Sequence, residues 1–483
     1  MAEPLWSHSA LVEAAGGVAD GPAPAGVTGL SIDTRTLRPG DAFIALKDQR
    51  DGHEFVSQAF EKGAVAALVS DRYPRRPGDG ALIRVGDVLE GLRAIARAGR
   101  ARLAPEARVL AVTGSAGKTT TKDMLRAGLE AVAPGRVHAS AKSFNNHWGV
   151  PLTLATMPAA TRFAVLEIGM NHAGEITPLV GLARPHVAIV LNVLPAHLGH
   201  FASVEEIAEA KAEIFSGLIE GGSAIVNGDS PYAGLLRTRA SARTSRVLSF
   251  GTGPQCDARL ASFDGGTGED PFAPAATRVV LADGGVLDYA LAIRGRHIAE
   301  NSAAALLAVR EAGADVATVA AALAHVGASP GRGERSRLVT EAGEILLIDE
   351  SYNANPASMA AAIATAGAAR ASGSGRLVLV LGDMLELGEQ SVALHRGLAE
   401  AIDAARADLV FLCGPHMKEL WTVLSGRSDA GRLGLWWRPT SAELEPLVGR
   451  ELQAGDVVMI KGSNGLRMAP LVAALRSHGR VAI

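Results

Sequence analysis

Thr113-Gly-Ser-Ala-Gly-Lys-Thr-Thr120 is the stretch of this chain whose residue types and spacing are best suited to chemistry. Apolar β-formers at 109–112 run into it and a helix-compatible stretch follows, so it reads as strand, glycine-rich turn and helix. In such a turn the backbone N–H groups of Gly114, Ser115, Ala116 and Gly117, with those opening the helix at Lys118, Thr119 and Thr120, make a concavity for phosphate oxygens. Lys118 can reach the β- and γ-phosphates, and the Thr119 hydroxyl can ligate Mg²⁺. The spacing is the short T-G-x-x-G-K-T form, with Val112 where the longer pattern has its first glycine. A turn with a surface lysine is the plainer alternative. It is disfavoured because strand, turn and helix signals agree.

Three further side chains fall near the same sheet edge. Glu167 closes the apolar run 163–168, and strand carboxyl ends are where α/β sheets bind ligands. A carboxylate there suits Mg²⁺; the alternative is an ordinary strand-end acid. His197 follows the next run, 187–191, as a candidate second metal ligand or a loop-packing histidine. Lys211 lies in an expected helix over 204–218, with Ser203 as N-cap and Glu205 and Glu206 in the first turn. It falls on the apolar stripe of Ile207, Ile214, Phe215 and Leu218, so it should face the protein. A buried ammonium is costly unless paired or chemically altered; the alternative is a lysine snorkelling from the stripe's edge.

These residues need elements to position them. The 483 residues suffice for about three domains at typical sizes. Residues 1–105 read as mixed α/β. Residues 106–328 read as a doubly wound parallel sheet around the glycine-rich turn, with a small antiparallel sheet within 247–293 and Ala-rich helices near 301–312 and 315–325. Residues 328–333, Ala-Ser-Pro-Gly-Arg-Gly, read as a linker and hinge. Residues 329–483 read as a Rossmann-like sheet whose strands end in polar loops at Asp349, Asp383 and Lys461-Gly-Ser463. Together those loops imply a second active wall and a site between two domains. The expected fold class is therefore α/β in three domains.

Composition narrows the classes. A formal net charge of −3 argues against a general nucleic-acid binder. Cys256 and Cys413 are far apart and form no disulfide or zinc pattern, which suits a reducing cytoplasm. No apolar run approaches the roughly 20 residues of a membrane span, and the first residues lack the regions of a signal peptide.

With these residues the chain resembles the Mur ligase family, the ATP-dependent amide ligases of bacterial cell-wall synthesis. The segment Ser143-Phe-Asn-Asn-His-Trp-Gly-Val-Pro-Leu-Thr153 is similar to that family's N-x-x-G-x-P-x-T, with Asn146 at the asparagine. The resemblance implies ATP and Mg²⁺ as cofactors. It implies catalytic roles for Lys118, Glu167, His197 and Lys211, metal contacts from Thr119, Glu167, His197 and Lys211, and carbamylation of Lys211. ATP contacts would come from the turn, Asn301, Arg332 and Asp349. Thr34 and Arg35 would hold a uridine nucleotide, and Asn146, Lys461 and Ser463 would meet substrate. Third-domain segments resemble those of members that join D-alanyl-D-alanine to UDP-N-acetylmuramoyl-tripeptide: 349–359, 381–388 with His395, and 458–463. Those two molecules are thus the expected partners, of a cytoplasmic monomer that neither spans a membrane nor binds nucleic acid. Departures are Glu350 where an aspartate is usual, Asn464 where arginine is common, and Ala299-Glu300 ahead of Asn301. Alternatives are another ligase of the family, a folylpolyglutamate-synthase-like enzyme, and a nucleotide-dependent switch without ligation.

Overall fold

Three β-sheets follow one another along the chain in the computed structural model. The structure describes residues 4–141, 143–196, 198–265, 270–341, 343–371, 375–427, 433–478 and 480–481. His197 therefore lies outside the described residues.

The first sheet contains β1 (Val18–Asp20), β2 (Gly29–Ser31), β3 (Asp41–Ile44), β4 (Ala66–Ser70) and β5 (Ala81–Val85). Its order is β1-β5-β4-β3-β2, parallel except for β1. Helices α1 (His8–Ala15), α2 (Val56–Glu61) and α3 (Val88–Ala101) cover it. Asp87 caps α3 by accepting from the Glu90 N–H at 2.9 Å, satisfying one of the helix's unpaired donors.

The second sheet has nine strands: β6 (Arg108–Thr113), β7 (Val137–Ala139), β8 (Phe163–Glu167), β9 (Val187–Val190), β10 (Ser223–Asn227), β11 (Arg246–Gly251), β12 (Ala258–Asp264), β13 (Ala275–Leu281) and β14 (Val286–Leu291). Helices α4 (Lys118–Val132), α5 (Gly149–Ala155), α6 (Ile176–Ala183), α7 (Val204–Ala212), α8 (Ala233–Ser241), α9 (Arg296–Glu311) and α10 (Val316–Ala322) flank it. The order β14-β13-β12-β11-β10-β9-β6-β8-β7 places the turn-bearing strand β6 between β8 and β9. Burial on both faces explains why the inner strands read as unbroken apolar runs. The antiparallel passage expected as a separate small sheet instead extends this one. β11 adds to β10 in parallel and β12 to β11 in parallel; β13 then pairs antiparallel to β12, and β14 antiparallel to β13. The helix expected over 204–218 stops at Ala212 and tightens into a 3₁₀ turn at Glu213–Gly217.

The third sheet contains β15 (Glu334–Thr340), β16 (Gly343–Glu350), β17 (Leu377–Gly382), β18 (Leu409–Cys413), β19 (Gly434–Arg438), β20 (Val457–Lys461) and β21 (Arg480–Val481), in the order β19-β18-β17-β20-β16-β15-β21. Helices α11 (Pro356–Ala371), α12 (Ser391–Ala405), α13 (Met417–Ser425), α14 (Ser441–Glu451) and α15 (Met468–His478) complete the unit. β16, β20, β17, β18 and β19 are parallel, and β15 pairs antiparallel to β16. No helix among the described residues is long and apolar enough to cross a membrane.

The first and second units meet where α3 packs on α5. The Trp6 indole donates to the Ala155 carbonyl at 2.8 Å, and the Arg102 guanidinium lies 3.7 Å from the centre of the Trp6 ring. Among the described residues, hydrogen bonds and an Arg337–Asp270 ion pair (3.6 Å) join the second and third units. Ser329 donates to Asp123 (2.8 Å), Arg332 to Ser143 (3.0 Å), Arg335 to the Pro271 carbonyl (2.7 Å), and the Gly199 N–H to the Glu386 carbonyl (2.9 Å).

Candidate active site

The glycine-rich turn leaves β6 and enters α4 at the carboxyl edge of the second sheet. Register decides what stands beside it: Val112 on β6 is opposite Glu167 on β8, and Thr113 is opposite Val190 on β9. Gly117 caps α4 with φ +81°, a left-handed conformation that costs an L side chain roughly 1–2 kcal/mol.

Asn192, in the loop after β9, grips the turn. Its backbone carbonyl accepts from the Ser115 N–H (3.0 Å) and its side-chain oxygen from the Ala116 N–H (2.9 Å). These two donors, expected in the phosphate cradle, are therefore already satisfied. The N–H groups of Gly117, Lys118, Thr119 and Thr120 have no acceptor among the described residues. They lie at the helix N-terminus, where anions are stabilised. The Lys118 ammonium folds back to the Gly114 carbonyl at 2.6 Å. Burial pushes its pKa down, the nearby Arg332 adds to that, and Glu167 opposes it.

Thr119 donates its hydroxyl to Glu167 Oε2 at 2.8 Å, and Asn145 donates from Nδ2 to Glu167 Oε1 at 2.7 Å. The carboxylate is 1% exposed, so these bonds to a charged group are each worth about 1.5–3 kcal/mol. Lys211 is buried in α7, 2% exposed, with no acceptor for its ammonium among the described residues. Burial first, then repulsion from the Lys118 cation, holds its pKa far below the ordinary lysine range.

A cleft of about 610 Å³ opens over the turn between the second and third units. The second unit lines it with residues 115–120, Ser143, Asn145, Glu167, His297 and Asn301, among others. Across from them stand Arg332, Arg335, Glu350, Tyr352, Asn353 and Lys461. The Arg332 guanidinium lies 3.9 Å from the centre of the Tyr352 ring while donating to Ser143 Oγ, so it spans from linker to second unit. The Lys461 ammonium donates to Glu350 Oε2 (3.2 Å) and to the Asn353 carbonyl (2.9 Å). Burial lowers the pKa of His297, and burial beside Arg294 lowers that of Arg335 to about 10.

Several sequence-derived site residues stand elsewhere. Asp349 is not on the cleft wall. Its carboxylate accepts from the Gly331 N–H (3.1 Å), the Ser351 N–H (3.0 Å) and Ser351 Oγ (2.6 Å), and so ties the linker to the end of β16. Ser463 is also off the wall. Its hydroxyl accepts from the Leu385 N–H (2.9 Å) and donates to the Ala354 carbonyl (3.3 Å), joining three loops. Asn146 spends its side-chain oxygen on the Gly149 N–H (2.9 Å) at the start of α5. Thr34 and Arg35 lie after β2, outside the cleft. The Thr34 hydroxyl donates to Gln58 (2.8 Å), and the Arg35 side chain, 85% exposed, pairs with Asp33 (2.7 Å). Asn145, Ser143 and Asn192 were not singled out from sequence. The doubled asparagine at 145–146 was visible there, but which of the two faces the carboxylate depends on the path of the loop.

The chain is similar over most of its length to known proteins. A family profile described as the Mur ligase middle domain matches residues 112–309, and one described as the Mur ligase glutamate ligase domain matches 331–464. The UDP-N-acetylmuramoyl-tripeptide–D-alanyl-D-alanine ligase of Bacillus subtilis is 35% identical over 447 residues, 92% of each chain. A crystal structure of MurF from Acinetobacter baumannii superposes with a TM-score of 0.81 at 29% identity, covering 98% of this chain and 99% of that one. The MurF ligase of Thermotoga maritima in complex with ADP gives 0.74 at 25% identity, covering 93% and 97%.

Proposed function

Since this chain belongs to the Mur ligase family, we propose that it joins D-alanyl-D-alanine to UDP-N-acetylmuramoyl-tripeptide, with ATP converted to ADP and phosphate. The observation that carries the reading is the contact of Thr119 with Glu167 beside open helix N–H groups, in a cleft whose other wall belongs to a second unit. The names of the relatives support the choice of substrates.

A carboxylate is a poor acyl donor, so the tripeptide acid must first be phosphorylated. Its oxygen attacks the γ-phosphorus, the β–γ bridging bond breaks, and ADP leaves with that electron pair. The dipeptide amine then attacks the acyl carbon, loses its proton and expels phosphate. Because charge is spread over phosphoryl oxygens, the protein's task is positioning and electrostatics. The N–H groups from Gly117 to Thr120 and the Lys118 ammonium would hold the phosphates. Arg332 would grip them from the linker, with Asp349 setting the linker's path. Asn301 and His297 would flank the nucleoside. Lys461 lies where peptide or phosphate would meet the third unit. For Asn146, Ser463, Thr34 and Arg35 the substrate contacts remain part of the proposal.

Thr119 and Glu167 offer only oxygen donors, side by side, and such a set fits Mg²⁺. His197 and a carbamylated Lys211 would complete the metal set. Mg²⁺ would neutralise charge on the phosphate oxygens. A lysine pushed toward its neutral form in a buried site is a nucleophile for carbon dioxide; attack and loss of a proton give a carbamate anion where a cation was costly. We assign the activity to a monomer working in the cytoplasm, where ATP is supplied.

The test is ADP release with UDP-N-acetylmuramoyl-tripeptide, with and without D-alanyl-D-alanine, beside a panel of single amino acids. Release that needs the dipeptide is expected. Release driven by diaminopimelate, lysine or glutamate, or indifferent to every acceptor, overturns the assignment.

A further inference from the structure

The two oxygens of Glu167 are not equivalent. Oε2 takes the Thr119 hydroxyl, while Oε1 takes the Asn145 amide at 2.7 Å. Asn145 is itself clamped to the strand end that carries Glu167. The Gly169 N–H, two residues past that glutamate, donates to the Asn145 carbonyl at 2.8 Å, and the Asn145 N–H donates to the Ser143 carbonyl at 2.8 Å. Gly169 leaves the space this clamp needs: a Cβ there would lie 2.9 Å from Asn145 Cγ. The amide thus has a fixed place relative to the carboxylate it holds.

We propose that Asn145 is a positioning residue for Glu167, setting the carboxylate's rotation so that Oε2 meets Thr119 at the metal-holding corner. This rests on the reading of Thr119 and Glu167 as the Mg²⁺ pair. The residue type suits the task. A lysine or arginine would hold Glu167 equally well but cancel the negative charge a cation needs. An aspartate would repel it. A neutral amide donates one hydrogen bond and leaves the charge in place. Asn146 does not compete for the role, because its oxygen is spent on the first turn of α5.

The test uses the full chain with ATP, and Mn²⁺ as a spectroscopic stand-in for Mg²⁺, beside the ligation assay. Asn145→Ala should weaken Mn²⁺ binding about 10- to 100-fold. It should raise the Mg²⁺ concentration for half-maximal ligation by a similar factor, while kcat at saturating Mg²⁺ stays near wild type. Asn145→Ser, too short to carry a donor to Glu167, is the second variant if the alanine form does not fold, and the same weakening is expected of it. Unchanged Mn²⁺ affinity in the folded variant overturns the proposal. A wild-type chain that binds no Mn²⁺ with ATP overturns the underlying reading instead.

Discussion

The side-chain amide of Asn301 occupies the space in which a Cβ on Gly117 would stand. Built there, that carbon lies 2.3 Å from Asn301 Nδ2, and the backbone at Gly117 has φ +81°. A side chain of α9 thereby packs against the glycine-rich turn, and any residue but glycine at 117 would be strained and would have to displace Asn301.

Gly117→Ala should therefore damage nucleotide binding while leaving the three sheets intact. The left-handed backbone alone costs about 1–2 kcal/mol, and the displaced Asn301 adds to it. A loss of ATP affinity of about tenfold or more is expected. Calorimetric titration with ATP checks it, with circular dichroism reporting the fold; wild-type affinity in the variant would show that the turn is not the nucleotide site.

Lys211→Ala should lose ligation by about 100-fold or more, the scale of removing one preorganised electrostatic contact. If a carbamate is the working form, formate or acetate should restore part of the rate by returning an anion to the cavity. Full activity without any added acid removes Lys211 from the mechanism.

The same lysine predicts a pH dependence of stability. Its folded pKa lies below the unfolded value, so the unfolded chain binds more protons and stability rises with pH through that window. Lys211→Met has no such group. In carbon-dioxide-free buffer it should be more stable than wild type near pH 7, and the gap should narrow as pH approaches about 10. Thermal midpoints measured across that range give the answer; a gap that widens with pH contradicts the buried, depressed lysine.

Arg332→Ala removes a guanidinium that joins linker, Ser143 and Tyr352. Hydrogen bonds to charged groups are worth about 1.5–3 kcal/mol, so KM for ATP should rise about 10- to 100-fold. Arg332→Lys should recover little, because a point charge cannot replace the planar fork. Steady-state kinetics at fixed dipeptide concentration distinguish this from an arginine that merely packs on the tyrosine, for which KM would not move.

Some of this site was legible without coordinates because the governing rules are local. The turn at 113–120 declares itself by two glycines and a Lys-Thr pair between a strand and a helix. Glu167 declares itself by ending an apolar run. Lys211 declares itself by interrupting an apolar stripe, and its burial follows from that spacing alone. Other residues have protein partners that the sequence did not reveal. Asp349 has the look of a ligand-binding acid, yet its oxygens are consumed by the linker and by Ser351. Ser463 is consumed by two other loops. Nothing nearby in sequence marks Asn192 as the residue that occupies two of the turn's donors.

The edges of the sheets were hidden for a related reason. β15 buries only Leu338 and β19 is only half-buried, so neither shows the continuous apolar run that marks the inner strands. The strands after residue 246 read as a separate small sheet because an antiparallel pattern says nothing about which existing edge it will join.

The amino-acid sequence by itself determined the layered α/β architecture, the glycine-rich turn between strand and helix, and the inward lysine, since backbone sterics and hydrophobic periodicity act over a few residues. Tertiary structure alone decided which donors remain open, which asparagine reaches Glu167, and which third-unit side chains face the cleft. Those outcomes depend on strand order and register, and a hydrogen bond, unlike a hydrophobic face, is committed only when both partners have been brought within about 3 Å.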